Sequence, residues 1–211
     1  MRVPGKLLVF CAAAAPAAWL PWLAVSGGLG ADPVKALSHY TGDWTLNLLL
    51  ATLAVTPLRR LSGRVEVMRY RRMLGLFTFF YACLHFLTWL VLDQFFDWQA
   101  IVADVVKRPY ISVGFAAFVL LLPLALTSTR RMAMRLGRNW RRLHRLAYAA
   151  ALGGVLHFLW LVKADVREPL IYLAILLLLF LARVPFVADR LSRPYGAGRD
   201  GDASEARRVA T

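Results

Sequence analysis

Residues 71–90 read RRMLGLFTFFYACLHFLTWL. Two arginines are followed by eighteen residues without a formal charge, one of which is His85. A run of about 20 apolar residues is long enough to cross the roughly 30 Å hydrocarbon core of a bilayer as a helix. This segment therefore reads as a membrane span with an imidazole inside it. Residues 141–160, RRLHRLAYAAALGGVLHFLW, repeat the arrangement, with His144 among the arginines and His157 deep in the apolar run.

Six such runs are found along the chain, at about 7–25, 44–58, 73–92, 111–127, 146–162 and 167–184. The chain is 59% apolar and 18% charged, against about 45–50% apolar for a soluble domain. The first run, preceded by Arg2 and Lys6, has the layout of a signal peptide but is long for one, and it reads as a retained helix. The expected fold is an all-α integral membrane protein. It is a six-helix transmembrane bundle covering residues 1–191, followed by a disordered cytoplasmic tail at 192–211.

The net charge of +14 could suggest nucleic acid, but its distribution points elsewhere. Arg2 and Lys6, six arginines from Arg59 to Arg72, seven from Arg130 to Arg145 and six from Arg183 to Arg208 lie in alternate connections. The remaining connections hold only Lys35, Lys107, Arg108, Lys163 and Arg167. Positive residues mark the cytoplasmic side of a membrane protein. The alternation implies six spans with both termini in the cytoplasm, and contact with lipid headgroups accounts for the basicity without nucleic acid.

No CxxC or CxxCH is present, which excludes a thioredoxin-like motif and c-type haem attachment. Cys11 and Cys83 fall inside apolar runs and read as packing residues. No GxGxxG, P-loop or room for a Rossmann unit is found, so any electrons must come from a separate donor. Pro109 and Pro169 mark helix starts, and Pro185 marks the end of the last helix.

The histidines carry the functional reading. His39, in SHYTGDW, is expected in a solvated outer connection. His85 lies 13 residues beyond Arg72 and His157 lies 12 beyond Arg145. At 1.5 Å per residue, both imidazoles sit roughly 18–20 Å above the cytoplasmic edge. Ionisable groups inside a bilayer are costly and usually functional. Two imidazoles at one depth on different helices suit the axial ligation of a haem iron between them. Gly153 and Gly154, one turn before His157, would let a flat ring approach, and Phe86, Trp89, Phe158 and Trp160 offer apolar cover. Zinc fits less well, because a structural zinc site takes four ligands and no third is evident at that depth.

His144 lies about 20 Å below His157. A second haem using His144 would need a ligand 13 residues before His85, where Arg72 stands. Two readings of His144 therefore remain: an interfacial residue, or a haem ligand, propionate partner or quinone contact. Asp43, Asp93, Asp97, Asp165 and Glu168 fall at outer edges of the runs, so ion-coupling carboxylates deep in the spans are absent. That weighs against a cofactor-free transporter or assembly factor. A ferric or cupric reductase acting without a protein partner is a further alternative.

The segments RRMLGLFTFFYACLH, KRPYISVG and LGRNWRRLHRLAY…LHFLW, in this order, resemble the MsrQ (YedZ) family of haem-binding membrane subunits, within the ferric-reductase-like transmembrane group. The likeness runs from GDWTLNLLLATLAVTPLRR to the last helix. It implies one b-type haem, with a second in doubt because of Arg72, and a bound FMN for which no flavin fingerprint is visible. It places the functional histidines at His85, His144 and His157. It also implies the bacterial inner membrane, quinol as electron donor and a periplasmic molybdopterin partner, MsrP, that reduces methionine sulfoxide in oxidised envelope proteins. The chain would then be an electron-transfer subunit with no substrate-reducing site of its own.

Overall fold

The structure is a computed structural model that describes residues 4–184 and residue 187. The tail expected at 192–211 and Pro185 lie outside them. Among the described residues every regular element is helical: α1 (Pro4–Val25), α2 (Pro33–Ser62), α3 (Met68–Leu87), α4 (Trp98–Lys107), α5 (Pro109–Leu126), α6 (Arg130–Leu136), α7 (Arg138–Leu143), α8 (Leu146–Leu161) and α9 (Arg167–Leu181). A 3₁₀ turn, Val65–Val67, leads into α3, and a π-helical turn, Thr88–Asp93, continues it. Among the described residues three helical stretches are long and apolar enough to cross a membrane: Gly5–Val25, Val65–Asp93 and Pro109–Leu126.

The second helix is longer than its apolar run. Asp32 caps it by accepting from the Lys35 N–H, and Pro33 occupies the first turn, where a missing N–H costs nothing. His39 is therefore not in a loop, as the sequence reading had it, but near the N-terminal end of α2. The connection after α3 is likewise largely helical. Asp97 accepts from the Gln99 and Ala100 N–H groups and starts α4. The arginine-rich segment before α8 folds into α6 and α7, separated by Gly137 at φ 51°, a backbone state that favours glycine.

The core lies where α2, α3, α5, α8 and α9 converge. Leu50, Leu53, Leu121, Ala151, Val155 and Leu176 are among its buried members. α2 packs along α3 and α5 along α8. Polar side chains in the helices are satisfied locally: the Thr52, Thr78 and Thr88 hydroxyls each donate to the carbonyl four residues back. Such back-bonding removes unpaired polar groups where water is excluded. Outward faces are apolar instead, with Leu8 and Trp22 on α1 and Ile171 and Leu178 on α9 exposed. A surface this apolar suits lipid rather than water.

α1 stands outside this core and is tied to it mainly through Tyr81. Tyr81 is fully buried, donates its hydroxyl proton to the Ala13 carbonyl and accepts from the Ala17 N–H, each at 2.9 Å. The Tyr40 hydroxyl adds a bond to the Pro16 carbonyl.

Candidate functional site

A cavity of about 540 Å³ lies between α2, α3, α5 and α8, within the roughly 300–1,000 Å³ of small-molecule and cofactor sites. His85 of α3 and His157 of α8 face each other across it, with ring centroids 6.1 Å apart and ring planes at 77°. The two residues placed at equal depth by the sequence are thus brought together by the fold.

Each ring is anchored through the same atom. His85 Nδ1–H donates to the Ser38 carbonyl at 2.9 Å, and His157 Nδ1–H donates to the Tyr110 carbonyl at 2.7 Å. With Nδ1 carrying the proton, Nε2 of the neutral ring is a bare acceptor. Both carbonyls come from the N-terminal ends of neighbouring helices, α2 and α5. A hydrogen bond on the far nitrogen fixes tautomer and ring orientation, as is usual for metal-binding histidines.

Two glycines make room for these rings. A Cβ on Gly114 would stand 2.6 Å from His157 Nδ1, and one on Gly42 would stand 3.2 Å from His85 Cε1. Neither was singled out in the sequence, although Gly114 ends KRPYISVG and Gly42 lies in SHYTGDW. The glycines that were singled out behave differently. Gly154 lines the cavity beside Leu46, whereas Gly153 packs against Ala117 and serves the α5–α8 contact. Of the four aromatic residues expected as cover, Phe86, Trp89 and Phe158 line the cavity, while Trp160 is 51% exposed and does not.

The donor set fits a haem. A metal–imidazole bond is about 2 Å long. Two rings bound to one metal from opposite sides therefore have centroids about 6 Å apart, the separation seen here. Among the described residues no group of three or more His, Cys, Asp or Glu side chains is placed to hold an ion alone. Trp89, one of the lining residues, has a buried ring nitrogen without a hydrogen-bond partner among the described residues.

His39 also lines the cavity, with Lys35, Asp43 and Arg108. Its signal was available in Asp32-Pro33, a helix start that extends α2 past it. His144 does not line the cavity. It sits in the turn between α7 and α8, stacked on Trp140 with centroids 4.0 Å apart. The Thr127 hydroxyl gives its proton to the Pro123 carbonyl, so His144 Nε2–H donates to Thr127 Oγ1 at 3.1 Å. Burial, and then the nearby Arg71, hold the His144 imidazolium below its ordinary range. Arg72, expected opposite His144, is exposed, and the partly buried Arg71 is the neighbour instead.

Residues 41–155 match the family described as "Ferric reductase like transmembrane component". The chain is 53% identical over 188 residues to the "Protein-methionine-sulfoxide reductase heme-binding subunit MsrQ" of Xanthomonas axonopodis pv. citri, covering 86% of each chain. It is 54% identical over 190 residues to the protein of the same description from Rhodospirillum rubrum, covering 89% of this chain and 91% of the relative.

Proposed function

The chain belongs to the MsrQ family of ferric-reductase-like transmembrane proteins, and from that premise we propose that it is a membrane b-haem subunit that delivers electrons to a methionine-sulfoxide reductase. The observation that carries this reading is the His85–His157 pair, 6.1 Å apart, each ring anchored at Nδ1 by a backbone carbonyl. His85 and His157 are the proposed axial ligands. When bound, haem b supplies one-electron transfer. The residues of the chain hold it, exclude water and set its potential through ligand, burial and hydrogen bonding.

The rest of the proposal follows the resemblance and the charge pattern. Residues 1–191 form one domain with six spans, α8 and α9 included, and both termini in the cytoplasm of a bacterial inner membrane. Membrane quinol is the donor and periplasmic MsrP the acceptor, docking where the cavity opens outward. His144 is proposed as an interfacial residue at the inner face, and a single haem is assigned. FMN stands in the proposal on the family likeness alone, and flavin fluorescence after acid extraction of the purified protein tests it.

The decisive experiment is a pyridine haemochrome assay with protein quantitation, on wild type and on the His85→Ala and His157→Ala variants. Wild type is expected to carry one haem b with a low-spin bis-histidine spectrum, and each variant is expected to lose that spectrum. A colourless wild type, or variants with an unaltered spectrum, would overturn the assignment.

A further inference from the structure

Two of the membrane-crossing stretches, Val65–Asp93 and Pro109–Leu126, follow each other in the chain with α4 (Trp98–Lys107) between them. At 1.5 Å per residue α4 is about 15 Å long, half the roughly 30 Å hydrocarbon core, so it cannot cross a bilayer. It starts just after Asp93 and ends just before Pro109, and both its ends are therefore held at one membrane boundary.

α4 presents three faces. One packs on the protein: the Ser112 hydroxyl of α5 donates to the Val105 carbonyl, and the Asp104 carboxylate accepts from Gln94 Nε2 at 2.9 Å and pairs with Arg108 at 3.3 Å. The second is apolar and uncovered. Trp98, Val102 and Val106 follow one another at four-residue steps, which sets them in one row along the helix, and they are 69%, 61% and 77% exposed. The third is polar, with Gln99 and Lys107 exposed. Lys107 forms no ion pair among the described residues.

The turn that leads into α4 adds two rings to this end of the bundle. Phe95 and Phe96 have φ of 48° and 59°, a left-handed state that glycine adopts freely and a bulky side chain does not. Such strain persists where the surroundings over-determine it. Both rings are exposed, Phe95 by 78%, so the surroundings that compensate them lie outside the protein. Water offers an apolar row and two phenyl rings nothing. A lipid interface does: a short helix with an apolar row, aromatic rings and a basic residue on its polar face is built to lie in the plane of a bilayer surface. Tryptophan is enriched at that level, and a lysine stem covers apolar surface while its ammonium reaches outward. The helices that α4 joins carry exposed apolar residues of their own, Leu87 on α3 and Phe115 and Val119 on α5, so the row extends a surface already suited to lipid.

We propose that α4 is an interfacial helix, lying flat in the bilayer surface at the end of the bundle where α3 stops and α5 starts. Trp98, Val102 and Val106 enter the phospholipid acyl region, Phe95 and Phe96 anchor the turn beside them, and Lys107 meets headgroup phosphates. Just beyond α4 come Arg108, which lines the cavity, and Tyr110, whose carbonyl orients His157. The helix thereby fixes that end of the cavity at headgroup level.

The test reads the surroundings of each face. In the full chain carrying Cys11→Ser and Cys83→Ser, Trp98, Gln99, Val102, Val106 and Lys107 are exchanged one at a time for cysteine and spin-labelled. Each protein is reconstituted in vesicles of phosphatidylethanolamine and phosphatidylglycerol. Power saturation then compares relaxation by oxygen, which dissolves in lipid, with relaxation by a water-soluble nickel chelate. Oxygen is expected to prevail for labels on Trp98→Cys, Val102→Cys and Val106→Cys, at a depth of about 5–10 Å into the headgroup–acyl boundary. The order is expected to reverse for Gln99→Cys and Lys107→Cys. Nickel prevailing along the apolar row would place it in water, and protection from both reagents would mean that a second copy of the chain covers it; either result overturns the proposal. If the serine background does not accumulate, p-benzoylphenylalanine in place of Val102 in the otherwise unaltered chain gives the second measurement. Irradiation in the same vesicles is expected to add the mass of one phospholipid, and a crosslinked dimer or an unchanged mass overturns the proposal.

Discussion

Gly114 faces His157 so closely that a single methyl group would meet the imidazole at 2.6 Å. His157 cannot turn away without losing the Tyr110 carbonyl. Overpacking a tight site costs about 1–3 kcal/mol, or roughly 5- to 150-fold in an equilibrium. Gly114→Ala is accordingly expected to lower haem occupancy within that range at limiting haem, read from the ratio of Soret to protein absorbance. Gly42→Ala, with 3.2 Å to His85, should lower it less. The reverse order would show that the two rings are not cradled as described. His144 makes a different prediction. Its folded value is depressed below the ordinary 6.5 by burial and Arg71. The unfolded chain therefore takes up the proton first, so stability from this group is present above about pH 6.5 and is lost as pH falls through the folded value. His144→Gln retains a donor for Thr127 but does not titrate. Its thermal midpoint in detergent should decline less between pH 7 and 5 than that of wild type, and equal declines would remove His144 from the account.

At the scale of elements, α1 is the least integrated of the long helices. It contains Pro16 and Pro21, which cannot donate to the helical ladder. The Tyr81 hydroxyl bridges the Ala17 N–H and the Ala13 carbonyl, groups that an unbroken helix would join to each other. A side chain entering the ladder is a recognised cause of helix bending. Tyr81→Phe should cost about 0.5–1.5 kcal/mol and quicken hydrogen exchange across Pro4–Val25 without altering the bound haem. Slow exchange in α1 of that variant would show that other contacts hold the helix. The N-terminal ends of α2 and α5 matter for a separate reason: Ser38 and Tyr110 sit there, and their carbonyls orient the two histidines.

At the scale of the molecule, the exposed apolar faces suit a helical bundle dissolved in lipid, and the sorted arginines are the ground for the proposed orientation. Six spans with both termini inside predict that a fluorescent protein fused after Thr211 fluoresces, whereas alkaline phosphatase at the same point is inactive. Alkaline phosphatase inserted in the connection at 162–166, between α8 and α9, should be active. Swapped results would reverse the bundle and move the mouth of the cavity to the cytoplasm.

The apolar runs, the arginine distribution and the depth of His85 and His157 were legible in the sequence, because hydrocarbon thickness and helical rise are constants that convert residue counts into heights. The start of α2 was also written there, in Asp32-Pro33, although the apolar run concealed it and left His39 in a supposed loop. What lay outside the sequence was everything that depends on which helices are neighbours. Gly42 and Gly114 look like ordinary span glycines until α2 is set against α3 and α5 against α8. Arg71 and Arg72 are indistinguishable until rotation about α3 turns one inward. The orphaned donor of Trp89 exists only once burial is known. A linear pattern specifies height along a helix axis and the face of one helix, while the partner across the gap is decided by packing of the whole bundle, and the ligand site is made of such partners.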